Sequence, residues 1–187
     1  MPGIDETKTF VPLKIAVLTV SDTRTLKDDK SGSLLVQRIV AAGHFVAERS
    51  LVPDDVDAIR GRVKNWIADP MIDVVITTGG TGFTGRDVTP EAVEPLFEKK
   101  MDAFSSLFLV VSFPKIGTSA IQSRATAGVA NATYIFCLPG SPGACKDAWD
   151  DILVHQLDYR YGPCNFVEIM PRLDEHLRRP KAKGATV

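Results

Sequence analysis

The chain has 187 residues, 44% of them hydrophobic and 24% charged, and its formal net charge is -1. These values are typical of one soluble globular domain over residues 1–187, and the small net charge argues against a nucleic acid or an anionic membrane as a partner. The first ten residues lack the apolar core of a signal peptide, and no apolar run approaches the length of a membrane span. The cysteines lack metal-type spacing, which favours buried thiols in a reducing cytoplasm: Cys137, Cys145 and Cys164.

The first half of the chain alternates predicted strands with amphipathic helices. Three apolar, β-branched segments are predicted to be buried strands: residues 14–20, 44–52 and 73–78. Ser31 or Ser33 is expected to cap the first intervening helix, which Gly43 ends. Asp54 or Asp55 is expected to cap the second helix.

The second half adds a fourth strand and a change of strand direction. Residues 133–140 are predicted to be a strand, after which Ser141 and Pro142 suit the N-cap and first position of a helix. The segment ATAGVANATYIF (125–136) predicts two strands that turn near Asn131, so that one strand is antiparallel to its neighbours.

This order of elements predicts a three-layer α/β/α domain with a mostly parallel sheet. We expect a folded core over about residues 14–166, with a flexible N-terminal arm. The basic tail RRPKAKGATV is short of apolar residues and is predicted to be flexible as well.

The segment VVITTGGTGFTGRDVTPEA (74–92) predicts an anion-binding loop. A buried strand ends in glycines whose amides a ligand can approach closely, and Thr89 suits the N-cap of a helix that Pro95 interrupts. The loop lacks the Gly-Lys-Ser/Thr of a Walker motif and the spacing of a dinucleotide fingerprint. A lone GGTG is a weak signal, because glycine-rich turns follow many buried strands.

Ligands of open α/β sheets bind beyond the carboxyl ends of the strands, so the polar residues that follow three predicted strands should meet in one cleft. These residues are Ser21 and Asp22 after the first strand, Thr78, Gly79, Gly80, Thr81 and Gly82 after the third, and Pro139, Gly140, Ser141 and Pro142 after the fourth. Asp22, Asp54 and Asp87 would repel a phosphate there unless a cation such as Mg²⁺ lies between them.

Each of these residues also has a purely structural interpretation. Asp54 could do no more than cap its helix, and Asp22 could only close a turn. Arg86 and Asp87 could form only a solvated ion pair of little energetic weight. Ser123 and Arg124 suit a phosphate but equally suit an exposed surface.

The segment AFSSLFLVVSF (103–113) carries more apolar residues than one helix face accommodates. Helical spacing places one stripe against the domain core, namely Phe104, Leu107, Phe108 and Val111. Val110 and Phe113 would then face elsewhere and form an exposed apolar patch, unless the helix is buried on all sides.

Five segments occur together in the order typical of the MoaB/MogA family of molybdenum cofactor biosynthesis proteins. They are VLTVSDTR, VPDDVDAI, DVVITTGGTGFTGRDVTPEA, IGTSAIQSRATAGVAN and LPGSPGACKDAW. The resemblance covers about residues 14–166, and the later segments, followed by PCNF, resemble MoaB more than MogA. The chain keeps the Arg86-Asp87 pair, from which some MoaB proteins depart. It differs from MogA at residues 143–145, where that protein is richer in lysine.

The resemblance implies a molybdopterin-binding, MogA-like fold and a cytoplasmic molybdopterin adenylyltransferase that uses MgATP. It implies that Asp54 and Asp87 are catalytic and hold Mg²⁺. It implies substrate or nucleotide contacts at Ser21, Asp22, Thr78, Gly79, Gly80, Thr81, Gly82, Arg86, Ser119, Ser123, Arg124, Pro139, Gly140, Ser141 and Pro142. It also implies a homo-oligomer, trimeric or hexameric, and contact with other proteins of the same pathway. A non-catalytic molybdopterin-binding or carrier protein is the alternative.

Overall fold

The computed structural model describes residues 2–178. A six-stranded sheet, in the order β3-β2-β4-β7-β6-β5, forms its centre, and a short two-stranded sheet joins β1 to β8. The strands are β1 (Gly3–Ile4), β2 (Lys14–Val20), β3 (Phe45–Val52), β4 (Val74–Thr78), β5 (Lys99–Lys100), β6 (Thr126–Ala130), β7 (Thr133–Leu138) and β8 (Tyr161–Gly162). The helices are α1 (Lys30–Ala41), α2 (Val56–Ile67), α3 (Thr89–Val93), α4 (Asp102–Ile116), α5 (Pro142–Ala148), α6 (Val154–Gln156), α7 (Phe166–Ile169) and α8 (Glu175–Arg178).

The sheet is mostly parallel, as predicted. Strands β3, β2, β4 and β7 pair in parallel, whereas β6 is antiparallel to both of its neighbours, β7 and β5. The turn between β6 and β7 consists of Asn131 and Ala132, both with positive φ (45° and 63°). The predicted antiparallel strand and its turn at Asn131 are therefore confirmed.

Helices cover both faces of the sheet, and side chains alternate between two cores along each central strand. Ile15 and Val17 of β2 point into the core shared with α1, α4 and α5. Ala16 and Leu18 point into the opposite core, which α2 and α3 close. The three-layer α/β/α architecture predicted from the order of elements is confirmed.

The predicted caps of α1 and α3 need correction, whereas the cap of α2 is one of its two predicted candidates. Helix α1 is capped by Asp29, whose carboxylate accepts a hydrogen bond from the Gly32 amide at 2.9 Å, so neither Ser31 nor Ser33 is the cap. Helix α2 is capped by Asp55 and not by Asp54. Thr89 is the first residue of α3 and not its cap, because Val88 takes that position.

The apolar helix α4 leaves much of its surface uncovered. Phe104 and Phe108 are buried, but Leu107, which we predicted on the buried stripe, is 46% exposed. The exposed apolar residues of this region are Leu107, Leu109, Val110, Phe113, Ile116 and Ile121. By length and composition, the segment Asp102–Gln122 is apolar enough to cross a membrane, and 22% of its 18-residue apolar window is buried. The same length and composition fit an apolar surface that another subunit covers.

The structure describes the contacts of the N-terminal arm and the burial of the three cysteines. The N-terminal arm contacts the domain, since Gly3 pairs with Gly162 and the Phe10 ring lies 5.1 Å from the His44 ring. The basic C-terminal tail, apart from its first residue, lies outside the described residues. Cys137 and Cys145 are buried as predicted, whereas Cys164 is exposed.

His44 is a buried histidine that the fold keeps neutral. Its Nδ1 accepts a hydrogen bond from the Leu13 amide at 3.1 Å, and burial lowers its pKa from 6.5 to about 4. Since the unfolded chain binds a proton near pH 6.5 and the folded chain does not, falling pH favours unfolding between these two values.

We expect the free energy of unfolding to fall between pH 7 and pH 4.5, by at most about 3 kcal/mol from His44 alone. His44→Gln should be less stable than wild type at pH 7 but should lose less stability on acidification, and urea denaturation at several pH values measures both. His176→Gln is the control, because His176 is exposed whereas His44 is buried. Equal pH slopes for wild type and His44→Gln would contradict the assignment.

Candidate active site

A cavity of about 510 Å³ opens at the carboxyl ends of β2, β4 and β7, the three central parallel neighbours. Its lining includes the predicted residues Ser21, Asp54, Thr78, Gly79, Gly80, Thr81, Gly82, Asp87, Pro139, Gly140, Ser141 and Pro142. The expectation that three strand ends meet in one cleft is therefore fulfilled.

The glycine loop after β4 fits between the two neighbouring strand ends because it has no side chains there. Gly79 has φ +105°, and a Cβ at this position would lie 2.2 Å from the carbonyl oxygen of Val20 at the end of β2. On the other side, the Gly79 amide donates to the Leu138 carbonyl of β7 at 3.0 Å. Thr89 fixes the loop from α3, since its hydroxyl donates to the Gly79 carbonyl at 2.8 Å and its amide donates to the Gly80 carbonyl at 2.9 Å.

Asp54 and Asp22 bind each other's backbone across the mouth of the cleft. The Asp22 amide donates to Asp54 Oδ2 and the Asp54 amide donates to Asp22 Oδ1, both at 3.1 Å. Arg86 forms two hydrogen bonds to Asp22, at 2.9 and 2.8 Å, and these hold the pKa of Asp22 below its usual range. Arg86 therefore pairs with Asp22 and not with Asp87, and this exposed pair lies beside the cavity without lining it.

Asp54 is the one carboxylate of this group whose pKa is raised. Burial is the main cause, and the neighbouring charge of Asp22 adds to it. Its Oδ1 faces the glycine loop, 3.0 Å from where a Cβ on Gly80 would lie, and no donor in the described part of the chain reaches that oxygen. A partly buried carboxylate with a free oxygen and a raised pKa is a group that a cation would stabilise.

Asp87 is held by the loop that precedes it. Its Oδ2 accepts hydrogen bonds from the Thr84 amide at 2.8 Å and from the Thr84 hydroxyl at 2.6 Å. Burial acts to raise the pKa of Asp87, but the hydrogen bonds from Thr84 outweigh it and keep that pKa below its usual range. Asp87 is therefore ionised and fixed in orientation at neutral pH.

These two carboxylates suit a Mg²⁺ ion that phosphates and water also bind better than a metal ion that protein side chains alone bind. No group of three or more metal-binding side chains occurs among the described residues. Mg²⁺ in nucleotide sites is commonly held by one or two carboxylates together with phosphates and water, a requirement that Asp54 and Asp87 can meet.

The N-termini of two helices and two cationic side chains form further parts of the cavity wall. Ser141 caps α5 by accepting from the Ala144 amide, with Pro142 as the first helical residue, as predicted. The start of α1 meets this wall, since the Ser31 hydroxyl donates to the Gly140 carbonyl at 2.7 Å. Several lining residues were not among those predicted from the sequence, including Thr19, Arg24, Asp29, Lys30, Ser31 and Gln122. Arg24 and Lys30 could have been predicted as lining residues, because they lie in the polar loop that directly follows a predicted strand.

Besides Asp22 and Arg86, three more predicted contact residues lie outside this cavity. Ser119 and Ser123 line a neighbouring cavity of about 250 Å³ between α4 and α5. Arg124 donates to the carbonyls of Gly82 and Asp87, both at 2.8 Å, so its guanidinium contacts the loop and not the cavity.

Comparisons with known proteins agree with this architecture. Residues 16–159 match the family model described as a probable molybdopterin binding domain. Molybdenum cofactor biosynthesis protein B of Escherichia coli K12 is 49% identical over 157 residues, covering 84% of this chain and 92% of that protein. The Bacillus subtilis protein of the same name is 42% identical over 158 residues, covering 83% and 93%. A crystal structure of a molybdenum cofactor biosynthesis protein B has a TM-score of 0.81 at 36% identity, covering 90% of this chain and 99% of that one.

We expect Gly79→Ala to destabilise the fold by at least about 2 kcal/mol, because its Cβ would collide with the Val20 backbone and its φ disfavours any side chain. Gly61→Ala is the matched control, because Gly61 lies within α2 with open space around its Cβ position, and this substitution should stabilise the fold by about 0.5–1 kcal/mol. Urea denaturation of both variants measures the difference. Wild-type stability of Gly79→Ala would show that the strand ends are not in close contact.

Proposed function

Because this chain belongs to the molybdopterin-binding family of MoaB and MogA proteins, which serve molybdenum cofactor biosynthesis, we propose that it is a molybdopterin adenylyltransferase. The reaction transfers AMP from MgATP to the terminal phosphate of molybdopterin. In keeping with bacterial relatives of this pathway, we further propose that the protein acts in the cytoplasm and contacts other proteins of the pathway.

The observation that carries this proposal is the state of Asp54 in the cavity. A carboxylate that is partly buried, adjoins a second acid and has a raised pKa costs folding free energy at neutral pH. The fold tolerates this cost beside a glycine loop that suits phosphates. Such a combination is typical of a site that acts on a phosphorylated ligand with a divalent cation.

The proposed reaction needs positioning more than acid–base chemistry. An oxygen of the terminal phosphate forms a bond to the α-phosphorus of ATP, the bond from that phosphorus to the β-phosphate breaks, and pyrophosphate leaves. The attacking phosphate is already anionic near pH 7, so no side chain has to remove a proton from it. The task of the protein is to align two anions and to offset their charge.

The residues of the cavity suit these tasks in distinct ways. The backbone amides of Gly80 and Thr81 and the start of α5 would hold phosphate oxygens. Arg24 and Lys30 supply positive charge on the opposite wall. Asp54 and Asp87 would hold Mg²⁺, which offsets charge on the triphosphate when it is bound with ATP.

The arrangement of Asp87 supports one alternative, a non-catalytic molybdopterin-binding or carrier protein. Both hydrogen bonds from Thr84 engage the same oxygen of Asp87, which reduces its availability to a cation. Incubation of the purified protein with molybdopterin and MgATP distinguishes the two functions. Chromatographic detection of adenylyl-molybdopterin and pyrophosphate supports the enzyme, whereas binding of molybdopterin without ATP consumption supports the carrier.

We expect Asp54→Asn and Asp87→Asn each to lower the rate of product formation on the order of 10²–10³-fold, because each change removes one charge that would hold Mg²⁺ at nearly constant volume. Asp54→Asn should leave the free energy of unfolding unchanged or slightly higher, since ionised Asp54 is destabilising. Asp55→Asn is the control, because asparagine retains the α2 cap outside the cavity and activity should be kept. Undiminished turnover in both active-site variants would refute their assigned roles.

We also propose that the exposed apolar face of α4 is a contact between copies of this chain. The exposed apolar side chains of α4, together with Ile121 in the turn that follows it, are between 46% and 75% exposed. Patches of this kind on soluble proteins mark interaction surfaces, and most soluble oligomers have closed symmetry. A trimer or a hexamer would cover this region in every subunit.

Light scattering at micromolar concentration should therefore give the mass of a trimer or a hexamer. Val110→Lys, at a position that is 65% exposed on α4, should shift the mass towards the monomer. Val40→Lys is the matched control, since Val40 is similarly exposed, at 59%, but lies on α1. A monomeric wild type would exclude the oligomer, and an oligomer unaffected by Val110→Lys would place the contact elsewhere.

A further inference from the structure

Arg124 makes three hydrogen bonds to the carbonyl groups of one loop. Its backbone amide donates to Thr81 at 2.9 Å. Its Nε donates to Gly82 at 2.8 Å, and its Nη2 donates to Asp87 at 2.8 Å. The guanidinium thus spans the loop of residues 82–87 and joins its first residue to its last.

Two further contacts engage the guanidinium. Nη1 forms an ion pair with the carboxylate of Glu91 on α3. One face of the group lies over the Phe83 ring, 5.5 Å from its centroid. An anion in the cavity would have to displace these partners before it could bind Arg124.

The loop that Arg124 spans is the one that orients Asp87. The Asp87 amide donates back to the Thr84 carbonyl at 3.0 Å, while the Asp87 carboxylate accepts from the Thr84 amide and hydroxyl. The segment is thus a closed turn whose internal bonds fix the carboxylate. Arg124 provides the contacts that fix this turn relative to the sheet.

The reversed direction of β6 explains how Arg124 reaches the site. Because β6 is antiparallel to β7, with Thr126 opposite Cys137, its first residues lie at the carboxyl ends of the parallel strands. A parallel strand at the same position would place its preceding residues at the opposite edge of the sheet.

We propose that Arg124 is a positioning residue that fixes the loop of residues 82–87 and thereby the Asp87 carboxylate. The consequence for catalysis rests on the proposed adenylyl transfer, whereas the clamp on the loop does not. Lysine cannot replace arginine in this role, because only the planar fork of a guanidinium can donate to two carbonyls and a carboxylate at fixed angles.

Hydrogen exchange of the free protein tests the clamp without any assay of activity. In Arg124→Gln and Arg124→Lys, amides of residues 82–88 should exchange faster, on the order of tenfold, while those of β2 keep wild-type protection. Arg62→Gln is the matched control, because Arg62 also pairs with a glutamate, Glu48, and lies 5.8 Å from a ring centroid, that of Trp66, but is remote from the loop. Glu91→Gln should cause little change, since both carbonyl contacts remain.

Steady-state kinetics with molybdopterin and MgATP test the effect on Asp87. Arg124→Gln should lower kcat on the order of 100-fold with KM for ATP changed by less than about threefold, because misplacement of a catalytic group affects the transition state more than ground-state binding. Millimolar guanidinium should restore part of kcat to Arg124→Ala, and Arg124→Lys should remain impaired.

Several results would overturn the inference. Unchanged exchange of residues 82–88 in Arg124→Gln would show that no clamp exists, and faster exchange throughout β2 as well would show a general structural role. A raised KM for ATP at unchanged kcat would show direct nucleotide binding by Arg124. If the wild type forms no adenylyl-molybdopterin, the proposed function fails, and the exchange experiment still decides whether Arg124 holds the loop.

Discussion

The close approach of Gly79 to the end of β2 is the constraint on which the candidate site depends. A Cβ at Gly79 would lie 2.2 Å from the Val20 carbonyl, and the Cβ of any residue replacing Gly140 would lie 3.2 Å from Gly79 Cα. Three strand ends can therefore adjoin one another only where side chains are absent. This contact brings loops that are far apart in sequence to one cavity, and it exposes their backbone amides to a ligand.

The three acids of the cleft differ in how their negative charge is stabilised. Arg86 pairs with Asp22 and the Thr84 hydrogen bonds stabilise ionised Asp87, so both carboxylates have lowered pKa values. Within residues 2–178, Asp54 accepts a hydrogen bond only from the Asp22 amide, and burial together with the Asp22 charge raises its pKa. A divalent cation would relieve this unfavourable charge, so the proposed function provides what the protein lacks at this position.

The segment between the apolar helix α4 and the antiparallel strand β6 contacts the loop of residues 82–87. The turn after α4 leads directly into Arg124 and β6, and Arg124 contacts the loop that carries Asp87. The exposed apolar face proposed as a subunit contact thus lies one short segment from the proposed clamp. Assembly of subunits at α4 would restrict the motion of the residues that support Asp87, which is a physical reason for the two features to occur together.

Local sequence determined the strands, the glycine loop and their meeting point, because β-branched runs, glycine pairs and the carboxyl-end rule depend on residues near one another in the chain. The antiparallel turn at Asn131 and the cap at Ser141 followed from the same kind of signal. The choice between neighbouring candidate caps could not be predicted in this way. Asp29 and not Ser31 caps α1, and Asp55 caps α2, which leaves Asp54 free to face the cavity. The partners of Arg124 and the exposure of Leu107 were also beyond sequence reasoning. They depend on which distant segments the fold brings into contact, and a residue's type and spacing do not contain that information.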